Sequence, residues 1–264
     1  MVLAPLAILA VLIGGWPFIL FWSLAAIGVY LEWSGEIVQA PRSAQIAGAG
    51  VLAAAGALAA AGFPGVALLV IAAGAGALVA LRKRDKLWCA AGLLYAGVVF
   101  AGPMLLRRDL DPRFGTLALL YLFAIVWATD ILAFFGGRLI GGPKLAPGIS
   151  PKKTWSGALA GALGGVGAGA AVAAMGSRLL ELPEINLLAA IGLALLLSVV
   201  AQAGDLVESA IKRRFGVKDS SRIIPGHGGL MDRLDGFLAA AGAAALLGVA
   251  RGGLDGASGG LLAW

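Results

Sequence analysis

The stretch from Asp205 to Asp235 concentrates the residues of this chain that could do chemistry, reading D-L-V-E-S-A-I-K-R-R-F-G-V-K-D-S-S-R-I-I-P-G-H-G-G-L-M-D-R-L-D between two strongly apolar segments. From Leu206 to Asp235 it carries six basic and four acidic residues, and it contains the only histidine, His227. Charge beside a bilayer is costly and points to function by default. On a helix, Asp205, Glu208, Ser209 and Lys212 fall at i, i+3, i+4 and i+7, which is a single face. Asp232 and Asp235 stand three apart just before the apolar run that starts at Phe237, so they share one side of a helix entry. Carboxylates from two helices flanking one loop suit Mg²⁺, a hard cation usually held by one or two carboxylates with waters and substrate phosphates. Asp205 and Asp232 are the expected metal pair, with Asp235 close behind and Glu208 as a further candidate. The plainer alternatives are a solvated helix end with an internal Glu–Lys pair, and acids that merely complement a helix dipole.

Pro225-Gly226-His227-Gly228-Gly229 cannot be a helix interior. Its glycines let backbone N–H groups turn toward an anion, and a helix start follows directly. Between Lys218-Asp219 and Asp232, this turn is expected to face phosphate, with Gly228 and Gly229 in the loop. His227 would donate to a phosphate oxygen or hold the loop in place. It is not expected to be a general base, because a phosphate nucleophile is already anionic. Upstream, Ser150-Pro151-Lys152-Lys153-Thr154-Trp155-Ser156-Gly157 precedes another apolar run. Lys153 as a point charge, with the hydroxyls of Ser150 and Thr154 at a helix start, would grip a triphosphate. A positive-inside anchor with an interfacial tryptophan competes with that reading. Asp130, inside the apolar run Thr116–Phe135, is a further candidate for the site, against simple snorkelling to the membrane edge.

The elements that must position these residues are membrane helices. With 60% hydrophobic and 13% charged residues and a mean hydropathy of +0.95, the 264-residue chain is not an ordinary soluble domain. A bilayer core takes roughly 20 apolar residues per helix. Candidate spans lie near Leu3–Leu31, Ala44–Gly62, Pro64–Leu81, Leu87–Leu106, Thr116–Gly137, Trp155–Ser177, Leu187–Gly204 and Phe237–Ala250. The predicted fold is therefore an all-α, polytopic bundle of about eight transmembrane helices, between seven and nine. The first run holds Trp16-Pro17 and is either one tilted helix or a tight hairpin. A β-barrel is disfavoured because the apolar runs are continuous rather than alternating. We expect one membrane domain over 1–264, with transmembrane hairpins in 1–115 and a catalytic half in 116–264 whose motif loops are 138–154 and 206–235. Gly- and Ala-rich faces let helices approach closely, within one chain or between two copies of a homodimer.

The basic residues are best read by place. Arg82–Lys86 is net +3 and Gly136–Lys153 net +4, whereas the alternate loops Arg107–Gly115 and Arg178–Asn186 are net +1 and −1. The positive-inside rule then puts both motif loops on the cytoplasmic side. No basic helix with interleaved aromatics appears, so nucleic acid is not an expected partner. Cys89 is the only cysteine, which excludes an intrachain disulfide, and no Cys/His cluster offers a zinc site. Met1–Leu31 lacks a basic n-region and a small-residue cleavage site, so it reads as a retained span.

Ser209, Lys212, Arg213, Lys218, Asp219, Pro225, His227, Gly228, Gly229, Asp232, Arg233 and Asp235 match, at fixed spacing, the signature S-x-x-K-R-x-x-x-x-K-D-x-x-x-x-x-x-P-x-H-G-G-x-x-D-R-x-D. That pattern resembles the phosphatidate cytidylyltransferases. Ser150, Pro151, Lys153, Thr154 and Gly157 are similar to the same family's upstream S-P-x-K-T-x-x-G element. The resemblance covers Asp130–Asp235; the earlier spans agree only in hydrophobic character. It implies transfer of a cytidylyl group from CTP to phosphatidic acid in a bacterial inner membrane, with Mg²⁺ on the acids at the matched positions and room for a second, monovalent cation. It also implies Lys153, Lys212, Arg213, Lys218 and Arg233 as the cations that offset anion–anion repulsion. Rival readings are CTP-dependent transfer to another lipid, such as an isoprenoid glycerol phosphate or a polyprenol, and an ion-coupled transporter using Asp130 and Asp205.

Overall fold

A computed structural model describes residues 3–81, 85–221 and 228–264. Pro225 and His227 lie outside the described residues. In chain order the elements are α1 (Leu3–Ile13), α2 (Gly15–Leu31), a π-helical turn (Glu32–Ile37), α3 (Arg42–Ala60), α4 (Pro64–Leu81) and α5 (Lys86–Arg107). There follow α6 (Pro112–Leu139), the strands β1 (Lys144–Ala146) and β2 (Ser150–Thr154), α7 (Trp155–Leu179), α8 (Leu187–Arg214), α9 (Met231–Gly252) and α10 (Ala257–Leu262). Seven helical stretches among the described residues are long and apolar enough to cross a membrane, from Gly15–Ile37 to Met231–Gly252. The all-α, polytopic architecture is thus the one expected, and the protein is an integral membrane protein. The first apolar run is not one continuous helix: Gly14 and Gly15 take positive φ angles of 67° and 56°, which separates the short α1 from α2, where the first candidate span begins.

The described residues fall into two compact units. The first holds Met1–Met104 with Lys212–Leu234; the second holds Leu105–Ile211 with Asp235–Trp264. In the first unit α2 continues through the π-helical turn, where the Val38 N–H donates to Trp33 O at 2.9 Å. Such turns often mark functional positions. Small residues admit large ones here: Gly48 on α3 receives the Tyr30 ring, and Gly92 on α5 receives the Trp33 indole. The Trp33 indole N–H donates to Trp88 O at 2.8 Å.

In the second unit α7 packs along α6 through Gly157, Gly161, Gly165, Gly169 and Ala173, all buried and four residues apart. A methyl group at Gly157 would stand 2.7 Å from Ala133 O, and one at Gly161 would stand 2.8 Å from Thr129 O. Only a backbone without side chains can come this close, which is how helices gain contact where lipid supplies no hydrophobic drive. Other large apolar side chains point outward: Ile131, Phe134, Leu159, Leu163, Leu188 and Val199 are exposed, as a lipid-facing surface requires. Caps fix the helix starts. Asp111 accepts from Arg113 N before α6, Thr154 Oγ1 from Gly157 N before α7, and Asn186 Oδ1 from Leu188 N before α8.

Candidate active site

In the second unit, α8 carries Asp205 and Glu208 one turn apart and α9 brings Asp235 to them. Carboxylate oxygens of the three lie within 4.8 Å of one another. Glu208 is buried and the other two are half-buried. Three like charges at this range repel unless protons or a cation offset them, and an all-oxygen set of this kind suits a hard cation. The β1–β2 hairpin adds a basic group: Lys153 Nζ sits 2.6 Å from Asp205 Oδ2. Antiparallel pairing of Lys144 with Thr154 and Ala146 with Ser150 delivers Lys153 at the end of β2, one residue before the Thr154 cap of α7. Ser209 Oγ donates to Asp205 Oδ1 at 3.4 Å, and Gln202 Nε2 ties α8 to Ala158 O on α7. Asp130, on α6, is exposed and within electrostatic reach of Asp235, Asp205 and Lys153.

In the first unit the motif residues do different work. Lys212 Nζ meets Asp232 Oδ1 at 2.6 Å, and both side chains are largely buried. The same carboxylate accepts from the N–H groups of Ser220 and Gly229, at 3.0 and 2.8 Å. Gly228 takes a φ of +78°, and a methyl group there would come 2.8 Å from Asp232 Oδ2. Arg213 donates to Val217 O, while Lys218, Asp219 and Arg233 are exposed. Buried beneath them is Glu32, from the π-helical turn. Its Oε1 accepts from Ser221 Oγ at 2.6 Å and Leu230 N at 2.8 Å; its Oε2 accepts from Ser220 Oγ at 3.1 Å and Met231 N at 2.7 Å.

The cytidylyltransferase family model matches residues 1–250. This chain belongs to that family. It is 43% identical over 239 residues to a phosphatidate cytidylyltransferase of Brucella abortus biovar 1 (strain 9-941), which covers 87% of this chain and 83% of the relative. A phosphatidate cytidylyltransferase of Staphylococcus haemolyticus is 40% identical over 154 residues, 58% of this chain and 55% of that protein.

The candidate metal-binding acids are divided between the two units. The candidates Asp205, Glu208 and Asp235 come together, whereas Asp232 has its carboxylate filled by Lys212 and two backbone N–H groups. Spacing alone could not separate Asp232 from Asp235, since both lie on the first turns of α9. Glu32 was missed, and with it Ser220 and Ser221. An acid directly after an apolar run was the available signal, but with the span ended at Leu31 it passed as a residue already in water.

Proposed function

We infer that this chain transfers the cytidylyl group of CTP to phosphatidic acid, forming CDP-diacylglycerol and pyrophosphate. The observation that carries this is the meeting of the two motif segments: Lys153 from the β hairpin reaches Asp205 on α8, beside Glu208 and Asp235. In the reaction an oxygen of the lipid phosphate attacks the α-phosphorus of CTP. The new P–O bond forms as the bond from that phosphorus to its β-bridging oxygen breaks, and pyrophosphate leaves with the electron pair. Both partners are anions, so catalysis rests on positioning and on charge compensation. Lys153 and Ser209 border the acid cluster, where they can orient a phosphate chain. Ser150 and Thr154 flank Lys153 on the same strand. Arg213, Lys218 and Arg233 are exposed cations on the motif segment. No side-chain nucleophile is needed.

Asp205, Glu208 and Asp235 would hold Mg²⁺, with Asp130 near enough to share its charge. When bound, Mg²⁺ would neutralise developing charge on the phosphates and orient them. Sidedness follows from the basic loops: the β hairpin and the C-terminal end of α8 face the cytoplasm of a bacterial inner membrane, where CTP is found.

The test is formation of lipid-linked CMP from labelled CTP by the detergent-purified chain, with phosphatidic acid, an isoprenoid glycerol phosphate and a polyprenol as parallel acceptors. Product with phosphatidic acid, abolished by chelation and restored by Mg²⁺, is expected. Folded protein that labels none of these acceptors would overturn the reading.

A further inference from the structure

Glu32 stands 188 residues before the serine it holds, outside every motif of the chain, yet its carboxylate is 1% exposed and fully engaged. The donors are distributed evenly. Each oxygen takes one serine hydroxyl and one backbone N–H: Ser221 and Leu230 on Oε1, Ser220 and Met231 on Oε2. The serines precede residues 222–227, and Leu230 and Met231 follow them at the start of α9. A carboxylate at the first N–H groups of a helix is favoured by the helix dipole as well as by the hydrogen bonds. Here that capping carboxylate comes from a distant helix. It also explains a motif glycine: a methyl group at Gly229 would stand 2.7 Å from Glu32 Oε2 and collide with Ser220 Oγ. Gly229 is thus pressed against Glu32, a tighter constraint than a phosphate-facing turn would impose.

We propose that Glu32 is a positioning residue of the transferase, clamping Ser220 and Ser221 to Leu230 and Met231 and thereby setting Lys218, Asp219 and Asp232. The link to Asp232 is direct. Ser220 gives its hydroxyl to Glu32 and its N–H to Asp232, and Gly229 lies against Glu32 while donating its N–H to Asp232. The π-helical turn supplies the reach, since the helical stretch of α2 runs on through Ile37 rather than ending at Leu31. Neighbouring Trp33 bonds Trp88, whose ring contacts Phe215 and lies under Arg214, so the connection is held at its α8 end as well. Glutamine cannot replace this carboxylate. Whichever way its amide turns, one of the Leu230 and Met231 N–H groups faces an NH₂ that cannot accept.

The inference rests on the transferase reading, so its test has one arm without turnover. Hydrogen exchange at the Leu230 and Met231 amides is expected to be faster in Glu32→Gln than in the unmodified chain; equal rates would overturn the clamp whatever the activity. In the CTP assay, Glu32→Gln is expected to lower kcat about 10- to 100-fold per folded molecule, as misplacement of reacting groups does, with KM for phosphatidic acid unchanged. Ser221→Ala should act more weakly in the same direction, and the double variant should be no worse than Glu32→Gln alone, the non-additivity of one shared interaction. Additive losses would overturn the proposal. Ser34→Ala removes a buried hydroxyl from the same turn, one that donates to Tyr30 O, and should retain full kcat. A loss matching that of Glu32→Gln would reduce Glu32 to general packing. Should Glu32→Gln fail to fold, Ser220→Ala and Ser221→Ala carry the test, and unchanged kcat in both would overturn it.

Discussion

Glu32 and Asp205 each place a carboxylate where an apolar run gives way to polar residues, and their surroundings are opposite. Both Glu32 oxygens are met by hydroxyl and backbone donors, and the residue is buried among them. Asp205 instead faces two further acids, Glu208 and Asp235, with oxygens of all three within 4.8 Å. A carboxylate saturated by fixed donors is held in place and holds its donors in return. Acids gathered against one another repel unless a proton or a cation offsets them. The first unit holds Glu32 and its donors; the second holds the three gathered acids.

Removing an acid from the crowded group gives the sharpest contrast. Asp235→Asn is expected to cut CDP-diacylglycerol formation about 10³-fold, the scale of losing a preorganised electrostatic contact to the reacting phosphates. Its melting temperature in detergent should not fall, because the change relieves repulsion. A variant that melts early while staying active would reverse the roles assigned to the two regions.

Two lysines sharpen the comparison because each sits 2.6 Å from its aspartate and the two pairs differ in burial. The side chains of Lys212 and Asp232 are 11% and 14% exposed. Lys212→Met would leave Asp232 buried without its cation, which costs about 3 kcal/mol and shows as a lower melting temperature. Lys153 and Asp205 are 26% and 33% exposed, so screening leaves that pair worth less than about 1 kcal/mol. Lys153→Met should melt nearly as the unmodified chain does, yet lose about 100-fold in activity, with the loss concentrated in KM for CTP. Equal melting of the two variants would show that burial does not separate them.

These contrasts also mark what the sequence could and could not show. The helical, membrane-spanning fold was legible because a span needs a long unbroken apolar run, and the runs at 116–137, 155–177 and 187–204 lie within α6, α7 and α8. The polar faces were legible where helical spacing fixes them, as for Asp205 and Glu208 on α8. Partnerships across the chain were not. Whether Asp232 or Asp235 joins Asp205 depends on a rotation of α9 that three-residue spacing leaves open. Glu32 was illegible because its four donors lie 188 to 199 residues away and include two backbone groups, which carry no residue-specific signal. The break at Gly14-Gly15 was visible only as an ambiguity: glycine permits a left-handed turn without requiring one.

The smallest effect separates scaffold from both sites. Gly161 and Gly167 lie on the same helix, but a methyl group at Gly161 would stand 2.8 Å from Thr129 O, whereas one at Gly167 would meet nothing within 4 Å. Gly161→Ala must push α7 away from α6 and is expected to cost about 1 to 3 kcal/mol, as overpacking does. Gly167→Ala should be neutral or slightly stabilising, since alanine favours the helix over glycine by up to about 1 kcal/mol. The displacement also reaches chemistry, because Thr129 bonds Ser198 on α8 at 2.7 Å and precedes Asp130. Activity in Gly161→Ala should therefore fall about threefold to tenfold, well short of the loss in Asp235→Asn, since the acids themselves remain. If both alanine variants melted together, the close α6–α7 approach would be wrong, and the glycine stripe would be a matter of composition.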